Sequence, residues 1–297
     1  MNSRSQIACE LNFLEKFINS LKGQDLLTFM EQGEFHQQRL FELIFNDSMV
    51  YLDLSSEEIA RSTNPYIKKL LHQQAVKPLL ENTPKTTPTL LHLLNRDENY
   101  MEENHRIRGS WANNFDDKVK LGNLFVEKSY NFNSGNAFRN FDFLHKHHKH
   151  PHNAMIISDD YFFKNANSLE DATDNLKKLL VKILPSFLNV DFHLTFVTGN
   201  KAFDQKILEE YIGLIFKRYP FKVKLEILGS NFHKRILLTN YYYITTDKGF
   251  SLNTGTTHKN DYWVSTTFTS RAVKEAYNAR VSELKDLFPE SVNRLLS

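Results

Sequence analysis

The residues of this chain best suited to chemistry stand together in the run His233-Lys234-Arg235-Ile-Leu-Leu-Thr-Asn240. An imidazole can attack phosphorus, and a guanidinium can hold a phosphate through two parallel hydrogen bonds. Side chains alternate along a strand, so i, i+2 spacing predicts that His233 and Arg235 face the same cleft at one end of a sheet. We therefore predict a phosphate site here. The alternative is that the three basic residues merely begin a strand at the surface.

This spacing, with the glycine and asparagine that follow it, resembles the phospholipase D signature, His-x-Lys-x4-Asp followed by Gly-Ser-x-x-Asn. The resemblance implies that His233 is the nucleophile and that Arg235 replaces the lysine that neutralises phosphate. Asn240 stands where the family has an aspartate that orients the histidine. An asparagine supplies no negative charge, so we predict a catalytically degenerate site that binds phosphate. We assign phosphate contacts to Lys234, Arg235, Gly249 and Asn253.

The order of elements from Ala154 to Asn253 also resembles the phospholipase-D-like C-terminal domain of microtubule-interacting-and-trafficking proteins. The shared features are Ile-Ile-Ser-Asp-Asp-Tyr, a helix with Leu176 and Leu180, and a strand ending in Thr198. The family binds phosphorylated membrane lipids and self-associates. Residues 1–150 do not resemble its helical trafficking module, so we transfer only the fold and the phosphate affinity.

A second candidate is a histidine-rich stretch that we interpret as a solvated, polyanion-binding loop. It would gain positive charge below about pH 6.5. The alternative is a metal site, for which only Asp142 or Asp159 could complete the ligands. A further alternative pairs His152–Asp159 with His233–Asn240 as two halves of one pseudo-symmetric site, although Ala154 occupies the lysine position. The residues assigned to the loop are His145, Lys146, His147, His148 and Lys149.

Carboxylates that follow strands form a third candidate, because such groups can hold Mg²⁺ for a nuclease. Asp53, Glu57 and Glu58 follow one predicted strand, and Asp159 and Asp160 follow another. Glu58 also has capping-box spacing from the serine three residues earlier, and the Asp159-Asp160 pair could simply cap a turn. We assign no metal and no cofactor.

Apolar periodicity predicts the elements that position these residues. In the second half we predict strands at Ala154–Ser158, Phe192–Thr198 and Ile236–Thr239, alternating with helices. This alternation is typical of an α/β layered domain with a partly parallel sheet. In the first half we predict helices at 5–22 and 90–94, and a strand at 121–127. The predicted fold class is α/β, with a mainly helical N-terminal region at 1–120 and a phospholipase-D-like layered domain at 121–297.

Composition limits the class of protein. The 297 residues include 37 basic and 35 acidic side chains and one cysteine, Cys9. The net charge of +2 therefore implies no general affinity for polyanions, and a disulfide scaffold is excluded. No apolar run is long enough to span a membrane, and we predict a cytoplasmic location.

From these observations we predict recognition of a phosphate-bearing polyanion, with nucleic acid favoured over lipid. One alternative is an active phosphodiesterase or nuclease that uses His233. Another is an interaction protein that forms a homodimer through the sheet domain. A role in a bacterial defence or mobile-element system is suggested by analogy alone.

Overall fold

The computed structural model describes residues 5–21, 26–82, 84, 90–94, 108–125, 127–132, 140–163, 168–199, 204–229, 232–250, 261–267 and 271–296. Contacts divide the chain into two compact units. Unit 1 comprises residues 1–125, 268–276 and 296–297, and unit 2 comprises residues 126–267 and 277–295.

Unit 1 is an α/β unit built on a five-stranded parallel sheet of order β3-β2-β1-β4-β5. Its strands are β1 (Ser5–Cys9), β2 (Ser48–Leu52), β3 (Val76–Pro78), β4 (Leu90–Leu93) and β5 (Ser110–Ala112). Its helices are α1 (Leu11–Leu21), α2 (Leu26–Gln32), α3 (Phe35–Glu42), α4 (Ser56–Arg61), α5 (Pro65–His72) and α6 (Lys118–Leu124), with a π-helical turn at Leu43–Asp47.

Burial of the central strands explains why this sheet forms. Ile7 and Cys9 of β1 are buried against Phe13 and Phe17 of α1, which lie one helical turn apart on the apolar face of the helix. Parallel strands covered in this way expose few polar positions, so they appear in sequence as short, continuous apolar runs.

Unit 2 contains a seven-stranded mixed sheet of order β6-β12-β11-β10-β7-β8-β9. Its strands are β6 (Glu127–Phe132), β7 (Ala154–Ser158), β8 (Phe192–Thr198), β9 (Val223–Gly229), β10 (Ile236–Thr239), β11 (Tyr242–Thr246) and β12 (Asp261–Thr267). A 3-10 helix spans Asp142–Lys149, α7 spans Leu169–Ile183 and α8 spans Gln205–Phe216. After β12 the chain forms α9 (Arg271–Lys285) and α10 (Pro289–Leu296).

The pairing of these strands brings distant segments to one end of the sheet. β7 and β8 are parallel, so their carboxyl ends lie side by side. β10 is antiparallel to β7, and Ile236 pairs with Ser158, so the residues preceding β10 lie beside those following β7. β11 is antiparallel to β10, so its carboxyl end lies there too. We call this end of the unit 2 sheet the site edge.

Helices α7 and α8 connect the parallel strands and bury their apolar faces in the unit 2 core. Ser168 begins α7 by accepting a hydrogen bond from the Asp171 amide (3.2 Å). Asp204 begins α8 by accepting from the amides of Lys206 (3.0 Å) and Ile207 (3.1 Å). Such caps satisfy amides that have no partner within a helix, and they fix the residue at which each helix begins.

The α/β class is confirmed, and β7, β8 and β10 have the predicted bounds. Three elements differ from prediction. The predicted helix at 5–22 begins with β1, the predicted helix at 90–94 contains β4, and the predicted strand at 121–127 overlaps α6. Short buried apolar runs fit a strand as well as a helix, and here parallel pairing decides the outcome. The expectation of a mainly helical N-terminal region therefore missed the unit 1 sheet.

Candidate functional site

The segment that follows β7 contacts both side chains that were predicted to bind phosphate. Asp160 bonds to His233, and the Tyr161 ring lies beneath the Arg235 guanidinium at 5.5 Å from its centroid. His233 and Arg235 lie just before β10, in residues that belong to no helix or strand, and not on the strand itself as their spacing had suggested. The antiparallel register of β10 on β7 therefore assembles one cluster from two segments that are more than seventy residues apart in sequence.

His233 is oriented by a carboxylate. Its Nδ1 lies 2.7 Å from Asp160 Oδ2, and the exposed fractions of the two side chains are 77% and 8%. The other Asp160 oxygen, Oδ1, accepts a hydrogen bond from the Gly199 amide after β8 (3.0 Å). Because Nδ1 is engaged, Nε2 is the ring nitrogen left to meet a ligand. Asp160, a buried carboxylate with a hydrogen-bond partner on each oxygen, thus fixes the orientation of an exposed imidazole.

Arg235 is held by its surroundings in a defined orientation. One guanidinium nitrogen, Nη1, donates to the backbone oxygen of Asp247, just after β11. The guanidinium also stacks on Tyr161, which favours a planar cation. A positioned guanidinium loses less conformational entropy on binding an anion than a mobile side chain does.

Asp159 links two turns at the site edge through hydrogen bonds to their backbone amides. It is buried, its Oδ1 accepts from the Tyr161 amide (2.9 Å), and its Oδ2 accepts from the Phe250 amide (2.8 Å). Burial raises the pKa of this carboxyl, although the two amide bonds and Arg235 act in the opposite direction. Asp159 therefore joins the turn after β7 to the turn after β11.

Gly249 lies against this Asp159 contact, and the phosphate contact assigned to Gly249 stays a prediction. It is buried with a φ of +108°, and a Cβ added to it would lie 2.6 Å from Asp159 Oδ2. Only glycine fits this close approach without strain. Asn253, the other phosphate contact predicted after β11, lies outside the described residues.

Lys234 is charge-compensated. Its ammonium lies 2.5 Å from Glu283 Oε1 on α9, and Arg280 bonds to the same carboxylate at 2.7 Å. Lys234 is thus engaged by α9, whereas His233 and Arg235 contact the segment that follows β7. The phosphate contact assigned to Lys234 therefore lacks support.

The role predicted for Asn240 is wrong. Asn240 is 1% exposed and lies after β10, at the opposite end of that strand from His233. Its Oδ1 accepts from the amides of Asn153 (3.1 Å) and Ala154 (3.0 Å), and its Nδ2 donates to the backbone oxygen of Leu295. These bonds tie the start of β7 to α10, and Asp160 occupies the orienting position that we had assigned to Asn240.

The histidine-rich stretch includes a 3-10 helix, Asp142–Lys149, and part of it is buried, unlike the solvated loop that we predicted. His147, His150 and His152 are buried, and the His147 ring stacks on Tyr242 with centroids 3.9 Å apart. These three imidazoles pack among the aromatic side chains of unit 2, which a count of polar residues in the sequence does not predict. His145 is exposed and bonds through Nδ1 to the Asp142 backbone oxygen (2.6 Å). The side chains of Lys146, His148 and Lys149 lie outside the described part of the chain.

The proposed pseudo-symmetric site is also wrong. His152 precedes β7 and His233 precedes β10, and these two strands are antiparallel. The two imidazoles therefore lie at opposite ends of the sheet. His152 belongs to the aromatic cluster, where its ring contacts Tyr242 and Phe192 edge to face.

The carboxylates considered for Mg²⁺ have structural partners. In unit 1, Asp53 accepts from the Leu11 amide at the start of α1 (2.7 Å), and Glu58 completes a capping box with Ser55. In unit 2, Asp159 and Asp160 bond as described above. Among the described residues, no group of three or more histidine, cysteine, aspartate or glutamate side chains is arranged to hold a metal ion.

Unit 1 carries a cleft of about 620 Å³ between α1, α4 and α5. Its charged lining residues are Glu15, Glu57, Glu58 and Arg61. Arg61 pairs with Glu57 at 2.7 Å, Glu58 belongs to the cap, and Glu15 Oε1 accepts from Asn64 Nδ2 (3.4 Å), so these charges already have partners within the protein. The site edge in unit 2 remains the stronger candidate.

Sequence reasoning missed the Asp160–His233 pair. The signal was present, since two aspartates and a tyrosine directly follow an apolar strand, but it was interpreted as a metal site or a turn cap. Within the described residues, no helix is long and apolar enough to cross a membrane. Comparison of the sequence with protein-family models and with curated proteins finds no match.

Proposed function

We propose that the site edge of unit 2 binds a phosphate group of a polyanion, with nucleic acid favoured over lipid. The observation that carries this proposal is the anchoring of His233 and Arg235 by one short segment, Asp160-Tyr161. A guanidinium and an imidazole together offer planar donors that suit phosphate oxygens.

The electrostatic balance assigns most of the binding to Arg235. Lys234 is neutralised by Glu283, and Asp159 and Asp160 place carboxylates beneath the site. A phosphate therefore approaches from the outer side of the edge, where His233 is exposed and both carboxylates are covered. The guanidinium carries a permanent charge, so its contact with phosphate is expected at any ordinary pH.

We propose further that unit 2 is a phospholipase-D-like domain. The support is the mixed sheet, in which β7, β8 and β9 are parallel and joined through α7 and α8, while β10 and β11 are antiparallel. The basic segment immediately precedes β10, as the resemblance implies. Asn240 departs from the family pattern without removing the carboxylate partner of His233.

Replacing Arg235 tests the binding proposal. Arg235→Ala is expected to weaken binding of fluorescent DNA, RNA or phosphoinositide by about 1–3 kcal/mol, the value of a charge-assisted contact. The loss should shrink as salt rises, because the contact is ionic. Fluorescence anisotropy at two or more salt concentrations measures both effects.

The matched control is Arg61→Ala, which removes the same charge from an exposed position in unit 1. It should leave affinity nearly unchanged. Equal affinity of Arg235→Ala and the wild type for every ligand would end the phosphate proposal.

A second candidate function is phosphodiester hydrolysis, and the Asp160–His233 pair favours it specifically. The Nε2 lone pair would attack phosphorus while the bond to the leaving oxygen breaks, and that oxygen would take a proton from water. Water would then attack the phosphohistidine and release His233. Asp160 would stabilise the positive ring through Nδ1–H, the part that an orienting carboxylate plays in acid–base and nucleophilic sites.

Replacing Asp160 tests this second candidate. If His233 is a nucleophile, Asp160→Asn should lower the turnover of DNA, RNA or a chromogenic phosphodiester by about 10²–10⁴-fold, and His233→Ala should abolish turnover. Asp247→Asn is the control, because it removes one charge from an exposed residue near the same edge. Turnover that survives His233→Ala would exclude His233 as the nucleophile, and a wild-type protein that cleaves none of these substrates would exclude phosphodiester hydrolysis.

A further inference from the structure

Tyr161 is the exposed member of an aromatic run. The three residues after Asp160 are Tyr161, Phe162 and Phe163, and both phenylalanines are buried against Phe196 of β8. Tyr161 remains 37% exposed. The chain therefore leaves one aromatic ring partly exposed three residues after the end of β7.

The position of this ring is fixed from two sides. Its backbone amide donates to Asp159 Oδ1 (2.9 Å), and the Arg235 guanidinium lies over the ring, 5.5 Å from its centroid. Tyr161 also directly follows Asp160, the partner of His233. An aromatic surface thus lies beside both cationic groups of the site edge.

Aromatic rings and guanidinium planes are the surfaces on which nucleic-acid bases stack. A base stacks on such a surface whatever its identity, because every base has a π-face. Bases in a duplex are already stacked on one another and give up that stacking only at a cost. A lipid headgroup such as an inositol phosphate carries no planar ring. The combination of a phosphate site and an aromatic platform therefore selects an unpaired nucleotide.

We infer that the site edge binds single-stranded nucleic acid, with one base stacked on the platform formed by Tyr161 and Arg235 and an adjoining phosphate held by Arg235 and His233. This inference rests on the proposed phosphate site and adds the class of polyanion. Tyr161 is thereby a specificity-determining residue that distinguishes a single strand from a duplex and from a phospholipid.

The test compares four probes: a fluorescent single-stranded thymidine oligonucleotide, an abasic strand of equal length, a duplex of equal length, and vesicles that contain phosphoinositide. The wild type should bind the single strand more tightly than the other three. Tyr161→Leu should weaken single-strand binding roughly 5- to 150-fold, the equivalent of the 1–3 kcal/mol that a stacked base contributes. Binding of the abasic strand should weaken less than binding of the thymidine strand, because it has no base to lose from the platform and Arg235 keeps its hydrogen bond to the Asp247 backbone oxygen.

Tyr161→Phe controls for folding and for the hydroxyl group. It keeps the ring and should retain single-strand affinity, and circular dichroism should show both variants folded. Single-strand binding that survives Tyr161→Leu while Arg235→Ala weakens it would overturn this inference and leave the phosphate site standing. Preference for phosphoinositide vesicles would overturn it in favour of a lipid. Failure of Arg235→Ala to affect any probe would remove the phosphate site and the inference together.

Discussion

Asn240→Asp is expected to destabilise unit 2 by about 3–5 kcal/mol, the penalty for leaving a buried charge uncompensated. The aspartate would keep the acceptor for the Asn153 and Ala154 amides. It would lose the Nδ2 donor to the Leu295 backbone oxygen and would place a negative charge against that carbonyl. Since the residue is buried, water cannot compensate. Urea denaturation of the full chain, followed by circular dichroism, measures the change.

Asn140→Asp provides the matched control. Asn140 is exposed in unit 2, and its Oδ1 accepts from the Asp142 amide (3.0 Å), an acceptor role that a carboxylate also fills. Its stability should stay within about 0.5 kcal/mol of the wild type, as for surface substitutions in general. If Asn240→Asp instead kept full stability and raised phosphodiester turnover, Asn240 would be the orienting position after all.

Gly249→Ala is expected to destabilise unit 2 by about 2–6 kcal/mol, through two effects that act together. A φ of +108° is costly for any residue with a Cβ, by about 1–3 kcal/mol. The new methyl group would also lie 2.6 Å from Asp159 Oδ2, and forcing an atom into such a contact costs about 1–3 kcal/mol. The bond from the Phe250 amide to Asp159 would be strained as a result. Thermal and urea denaturation both report the loss.

Gly213→Ala is the control for this substitution, and its expected effect has the opposite sign. Gly213 lies inside α8, and a Cβ added there would meet nothing within 4 Å. Alanine should therefore stabilise the helix by about 1 kcal/mol. Equal effects of the two substitutions would show that the packing of Gly249 against Asp159 does not constrain the fold.

Part of the fold was accessible from sequence because its signals are local. The runs Ala154–Ser158, Phe192–Thr198 and Ile236–Thr239 are apolar, bounded by polar residues and separated by amphipathic helices, and each proved to be a strand with those bounds. The signals failed for two other short apolar runs, whose spacing fits a helix as well as a strand. The segments Ser5–Cys9 and Leu90–Leu93 are strands because each has a parallel neighbour, which is a property of the assembled sheet.

The candidate site likewise has one part that the sequence predicts and another that only the tertiary structure decides. By itself the sequence determined that His233 and Arg235 stand next to each other before a strand, because two-residue spacing is a local property of the chain. Only the tertiary structure decided which carboxylate meets the imidazole. Asp160 and His233 are far apart in sequence, and the antiparallel register of β10 on β7 brings them to 2.7 Å. Asn240 follows β10 and His233 precedes it, so the two residues lie at opposite ends of the strand. They therefore cannot share a site, although the sequence motif places them in one.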